Sequence, residues 1–276
     1  MRTWLFTRVR LCGLAVLMLA GVPGALPARA ETITLRADAW CPYNCAPGSA
    51  RPGYVVEIAR EVFAARGIEV DYALMPWARA LESVRQGKIS GVIGATRQEG
   101  EDLVFGEEAV GFSSDALAAR RGYGFTYRGA ESLDGHRLAA VRDYSYEPEI
   151  DAYIAAHAEA GEAVSLASGE DVTVQNLRKL LANRVDLVLE DRNVLDYTLA
   201  AEGLTGLAES QAISAPEVIH IAFSPADPKA ADHAAVLDAG LREMRRSGRL
   251  AEILSRYGLT DWTVGHAAAV APPPGR

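Results

Sequence analysis

The chain has 276 residues, 49% of them hydrophobic, enough for one large core or two ordinary ones at about 100–150 residues per domain; fibrous and fully disordered states are excluded. Its formal charge is −8, and because Arg2, Arg8, Arg10 and Arg29 all fall in the first 30 residues, the remainder carries 24 basic against 36 acidic side chains. That balance excludes nucleic acid and anionic membrane as partners, since phosphate binding requires a basic face.

Residues 1–30 have the form of a signal peptide: a basic start from Arg2 to Arg10, an apolar run from Leu11 to Val22, and Ala28-Arg29-Ala30 as the small-x-small cleavage pattern. The apolar run falls short of the roughly 20 residues that span a bilayer, which argues against the alternative of an uncleaved anchor. Cleavage after Ala30 predicts a mature chain of residues 31–276, exported to the periplasm. Cys12 lies inside the apolar run, away from the cut, so a lipoprotein anchor is not expected. The mature chain then keeps Cys41 and Cys45, and a close pair in an oxidising compartment predicts a disulfide around Pro42. His136, His157, His220, His233 and His266 share no ligand spacing with that pair, so no metal and no cofactor are expected.

A strand is predicted over 33–37. Val55, Ile58, Ala59, Val62 and Phe63 then stripe one helical face, and Gly67 supplies the stop. A strand over 70–74 follows, then Pro76 opening a helix whose buried stripe is Trp77, Leu81 and Val84, then a strand over 91–94. Alternation of this kind marks an α/β protein with largely parallel sheets. Further strands are expected over 137–141, 164–167, 186–189 and 218–223. Helices are expected after Pro148, over 172–182, near 194–202, and on the stripes Val236, Leu237, Gly240, Leu241, Met244 and Leu250, Ile253, Leu254, Tyr257.

Residues 80–95 align without a gap on 176–191. Leu81 matches Leu177, Val84 matches Leu180, Gly87 matches Asn183, Lys88 matches Arg184, and Ile89, Val92 and Ile93 match Val185, Val188 and Leu189. Each copy reads as helix, left-handed cap, basic residue, buried strand, and together they predict two similar lobes. Lobe crossings are expected within 117–123 and 215–223, giving lobe 1 as residues 31–118 with 222–262, lobe 2 as 119–221, and an unfolded Ala- and Pro-rich tail over 263–276.

Ligands of open α/β sheets sit beyond the carboxyl ends of the strands, where loops and helix starts leave N–H groups free. That rule selects Asp38, Trp40, Tyr43, Trp77, Arg79, Ala95 and Thr96 from the first lobe and Tyr144, Ser145, Tyr146, Glu190 and Asp191 from the second, with Ser113 and Ser114 on the floor. Aromatic faces can hold an apolar stem or a cation, Arg79 can fork onto a carboxylate, and Glu190 or Asp191 can hold an amine. Plainer roles exist for several: Trp77 as core, Arg79 as a solvated helix charge, Tyr144 and Tyr146 as cover for the core edge, Asp191 as a helix cap. No nucleophile elbow, metalloprotease helix, phosphate loop or dinucleotide fingerprint is present. Glu190 beside Asp191 leaves open a catalytic alternative, a lyase or dehydratase using a coupled carboxylate pair.

Taken in order, Pro52-Gly53-Tyr54-Val55-Val56-Glu57-Ile58, Pro76-Trp77-Ala78-Arg79-Ala80-Leu81, Gly87-Lys88, Val92-Ile93-Gly94-Ala95, and Ser247-Gly248-Arg249-Leu250 to Tyr257-Gly258 resemble the bacterial extracellular solute-binding protein family 3. The resemblance runs from Thr34 to about Trp262. It implies a two-lobed periplasmic binding protein fold of type II with two hinge strands, and a monomer that closes on a small polar solute and delivers it to an ABC permease of the inner membrane. It does not imply an enzyme; a sensing partner of a membrane kinase is a third reading. Members that bind ordinary α-amino acids usually carry Thr-x-x-Arg after the third strand, the arginine gripping the α-carboxylate. Here the segment is Thr96-Arg97-Gln98-Glu99-Gly100-Glu101, with Glu101 read at the arginine's place and Arg97 or Arg79 as substitutes, which shifts the expected solute toward an amine-bearing one.

Overall fold

The computed structural model describes residues 31–158 and 163–263. The expected signal peptide and, apart from Thr263, the expected tail lie outside the described residues.

The chain opens as β1 (Glu31–Ala37), α1 (Tyr54–Ala64), β2 (Ile68–Leu74), α2 (Trp77–Arg85) and β3 (Gly91–Ala95). Val55, Ile58, Ala59, Val62 and Phe63 are all buried on the inner face of α1, as their spacing requires, and each large aliphatic or aromatic side chain so buried contributes about 1.5–3 kcal/mol. Three short strands follow, β4 (Val104–Phe105), β5 (Gly111–Ser113) and β6 (Asp115–Arg120). The second α/β run is β7 (Leu138–Val141), α3 (Pro148–His157), β8 (Val164–Ala167), α4 (Val172–Leu181), β9 (Leu187–Asp191), α5 (Arg192–Ala201) and β10 (Ala208–Ala212). The chain ends with β11 (Glu217–Phe223), α6 (Ala230–Ser247) and α7 (Arg249–Ser255).

Two sheets result. The first has the order β2-β1-β3-β11-β4 with β5 on β11; the second has the order β10-β6-β9-β7-β8. In the first, β1 pairs in parallel with β2 and β3 while β11 runs antiparallel to β3; in the second, β7 pairs in parallel with β8 and β9 while β6 runs antiparallel to β9. The two halves therefore share one plan, and the repeat is its local signature. Leu81, Val84, Leu177 and Leu180 are buried at matching places. Gly87 and Asn183 both turn left-handed, with φ of 68° and 58°, and both are followed by a backbone N–H returning to the helix, Lys88 to Ser83 and Arg184 to Lys179 at 2.9 Å each.

β6 lies wholly in the second sheet, and Ser113 of β5 still pairs with Glu217 of β11. The outward crossing thus falls between Ser113 and Asp115, upstream of the 117–123 expected from sequence, where the run Ala-Leu-Ala-Ala-Arg carries no β-branched residue to mark a strand. The return crossing precedes Glu217, and the two crossings touch: Ile213 N–H donates to the Asp115 carbonyl and Asp115 N–H to Ser214 Oγ, both at 2.8 Å.

Candidate functional site

The carboxyl ends of β1, β3 and β7 and the starts of α2 and α3 surround a cleft of about 810 Å³ between the sheets. Asp38 and Trp40 follow β1, Thr96, Gln98 and Glu99 follow β3, and Trp77 opens α2. The second half supplies Asp115 of β6, the turn Tyr144, Ser145, Tyr146 and Glu147, and Pro148 and Asp151 of α3. The crossings supply Ser114, Ser214, Ala215 and Pro216, and the strands beside them Ser113 of β5 and Glu217 and Ile219 of β11.

Hydrogen bonds join the two halves across and beneath this space. Tyr144 Oη donates to Asp38 Oδ2 in a short contact, and Trp40 Nε1 donates to Glu190 Oε1 at 3.1 Å. Glu190 is 1% exposed and also accepts from Thr173 Oγ1 and the Asp191 N–H. Tyr43 is stacked against Trp40 with ring centroids 4.2 Å apart; its hydroxyl donates to the Phe112 carbonyl and accepts from Asn193 Nδ2 at 2.7 Å. Asp191 caps α5, accepting from Val194 N–H at 2.9 Å, and takes Ser113 Oγ and Ser114 N–H at 3.0 Å. A disulfide joins Cys41 and Cys45 in the loop that carries Trp40 and Tyr43.

Of the residues selected from sequence, Asp38, Trp40, Trp77, Thr96, Ser113, Ser114, Tyr144, Ser145 and Tyr146 line the cleft together. Tyr43, Glu190 and Asp191 lie beneath it as buried supports, and Ala95 is buried in β3 opposite His220. The two arginines do not reach it. Arg97 Nη2 donates to the Gly106 carbonyl and its guanidinium stacks over Phe105, while Arg79 is exposed on α2 outside the lining. The spacing Thr-x-x-Arg counted from Thr96 in fact ends at Glu99, not Glu101, and it is Glu99 that lines the wall, accepting from Trp77 Nε1 at 2.7 Å.

Sequence reasoning missed Ile93, Gly94, Gln98, Glu99, Asp115, Glu147, Pro148 and Asp151, and Ser214, Ala215, Pro216, Glu217 and Ile219 of the return segment. Pro148 was legible as a helix start, and applying the strand-end rule to that helix would have found its acids. The return segment carries no motif.

The cleft is acidic. Asp38, Glu99, Asp115, Glu147, Asp151 and Glu217 line it, and among the described residues no Lys, Arg or His does. Desolvation pushes Asp38 up to about 6, against the bond from Tyr144. Desolvation, together with the neighbouring carboxylates of Glu147, Asp191 and Asp151, pushes Asp115 up to about 7. Glu99 and Glu217 are raised too, by burial first and then by Asp38 and Glu217 for the former, by Glu147 for the latter. Beneath the floor, burial pushes Glu190 up to about 7 and Asp191 to about 6. Among the described residues no three His, Cys, Asp or Glu converge as a metal site, and no helix is long and apolar enough to cross a membrane.

A family model described as bacterial extracellular solute-binding proteins, family 3, matches residues 34–260. Among solved structures, a histidine kinase sensor domain with similarity to periplasmic binding proteins is 22% identical, covers 83% of this chain and 96% of its own, and superposes with a TM-score of 0.65. An ABC uptake transporter substrate-binding protein from Streptococcus pneumoniae with bound histidine is 19% identical, with coverages of 82% and 92% and a TM-score of 0.66. An ancestral arginine-binding protein bound to glutamine is 17% identical, with coverages of 82% and 97% and a TM-score of 0.65. These likenesses carry the two-lobed fold. No curated protein gives a significant sequence match.

Proposed function

Because the chain belongs to the bacterial extracellular solute-binding proteins, family 3, we propose that it is a periplasmic receptor that closes on one small, amine-bearing polar solute and hands it to an ABC-type permease. On this reading the two sheets are the cores of two lobes, hinged at 113–115 and 213–217, and residues 1–30 are a signal peptide cleaved after Ala30. The observation that carries it is the cleft itself: strand-end and helix-start residues from both sheets converge on one volume of about 810 Å³, large enough for a small solute. Contacts made to both sheets at once favour the closed population, which is how binding is coupled to closure.

The catalytic alternative gains nothing from the geometry. Glu190 and Asp191 are 1% and 3% exposed, lie outside the cleft lining, and are engaged by Trp40, Thr173, Ser113 and Ser114. A sensing role would use the same cleft and differ only in the protein that reads the closed form.

Thermal unfolding of the purified protein against a broad panel of small metabolites tests the receptor reading. At least one solute is expected to raise Tm, with no product detected by mass spectrometry. No shift with any solute, or turnover of one, would overturn it.

A further inference from the structure

The cleft walls hold six carboxylates, and none of the six takes part in an ion pair among the described residues; the ion pairs all involve other acids. Arg85, which donates from Nη2 to the Glu99 carbonyl at 3.2 Å, is ion-paired with Asp102 at 2.9 Å. Several donors at the cleft that could otherwise receive an anion are held by the protein's own acids. At the start of α3, Asp115 Oδ2 accepts from Glu147 N–H at 3.2 Å and Asp151 Oδ1 from Tyr146 N–H at 3.0 Å. Asp191 holds the start of α5, and Glu99 holds the indole that opens α2. Interleaved with these acids are Trp40, Trp77, Tyr144 and Tyr146, whose ring faces attract cations.

We infer that the solute is an organic cation without a carboxylate: an amine or guanidine whose positive charge meets Asp38, Glu99 and Asp115 and whose stem lies on the aromatic rings. A zwitterionic amino acid would place its carboxylate among unpaired carboxylates, with no basic side chain to receive it. A bare divalent metal ion is not the fit, because the acids are spread along the walls rather than gathered at one point. The inference rests on the receptor reading and names its substrate class.

Isothermal titration with pairs that differ only in the carboxylate tests it: agmatine against arginine, cadaverine against lysine, putrescine against ornithine. For at least one pair the decarboxylated member is expected to bind at least about tenfold more tightly, or about 1.4 kcal/mol. Glu99→Gln should narrow that gap; Glu217→Gln, at the exposed rim, gives a second reading should Glu99→Gln fail to fold. If, in every pair that binds, the amino acid is held as tightly as its amine or more so, the inference is overturned and the receptor reading stays in place. Silence from every pair also overturns it. The receptor reading is then decided by the metabolite panel, where a Tm shift with another solute keeps it and none removes it.

Discussion

Asp38 stands where the first strand of the chain runs out into the cleft, and it does two things with one carboxylate: Oδ2 receives the Tyr144 hydroxyl from the opposite sheet, and its charge faces the cavity. Asp38→Asn keeps an acceptor for Tyr144 and removes the charge, so affinity for a cationic solute is expected to fall by about tenfold or more, read by calorimetry, with the fold intact. Asp191 gives the opposite result. It caps α5 and ties Ser113 and Ser114, so Asp191→Ala is expected to cost about 1–2 kcal/mol in urea unfolding. Strand-end position alone cannot separate these two acids. Asp38 follows its strand and opens onto the cleft, whereas Asp191 is the last residue of β9 and its side chain turns back to the next helix.

At the scale of elements, most of the fold was legible because the relevant signals are local. Periodicity marked α1 and α4, Pro76 and Pro148 marked helix starts, and the repeat exposed the shared helix–cap–strand unit. The cap is testable. Asn183 sits at φ 58°, a conformation a side chain with Cβ adopts at a cost of about 1–2 kcal/mol, so Asn183→Gly should be neutral or stabilising and Asn183→Val destabilising in thermal melts. Gly240 of α6 answers to a different constraint: a Cβ there would lie 2.4 Å from the Val62 methyl groups of α1. Gly240→Ala is therefore expected to lose about 1–3 kcal/mol, only partly restored by Val62→Ala, because the Cβ at position 62 would still lie 2.9 Å away. What sequence did not reveal were β4, β5, β6 and β10, which are short, Ala-rich or polar, such as Ala-Glu-Ser-Gln-Ala, and owe their strand state to the neighbours they pair with. The acids of the return segment and of α3 were missed for a related reason: only the folded topology carries them to the cleft.

For the whole molecule, the acidic cleft ties stability and binding to pH in opposite senses. Asp38, Asp115, Glu190 and Asp191 are all pushed up to about 6 or 7, so between roughly pH 4 and 7 the folded protein holds more protons than the unfolded chain, whose carboxylates titrate near 4. Stability of the ligand-free protein from these groups is therefore present at low pH and lost as pH rises through that window. Asp186 acts the other way: paired with Arg120 and Arg137, it is held well below the usual carboxylate range, and its contribution is lost only as pH falls below about 4. The urea midpoint is expected to be higher at pH 5 than at pH 7.5. Affinity for an amine, which stays protonated throughout, should instead rise over the same interval as Asp38 and Asp115 ionise. Equal midpoints, or an affinity that falls with pH, would contradict this electrostatic picture.

In the proposed receptor a solute is held between the two sheets by residues from both. A crystal structure of the protein with its tightest-binding solute tests this most directly. The solute is expected enclosed among Asp38, Trp77, Thr96 and Tyr144, with its charged nitrogen against the carboxylates of the cleft wall. A solute bound elsewhere on the chain, or touching one sheet alone, would contradict it.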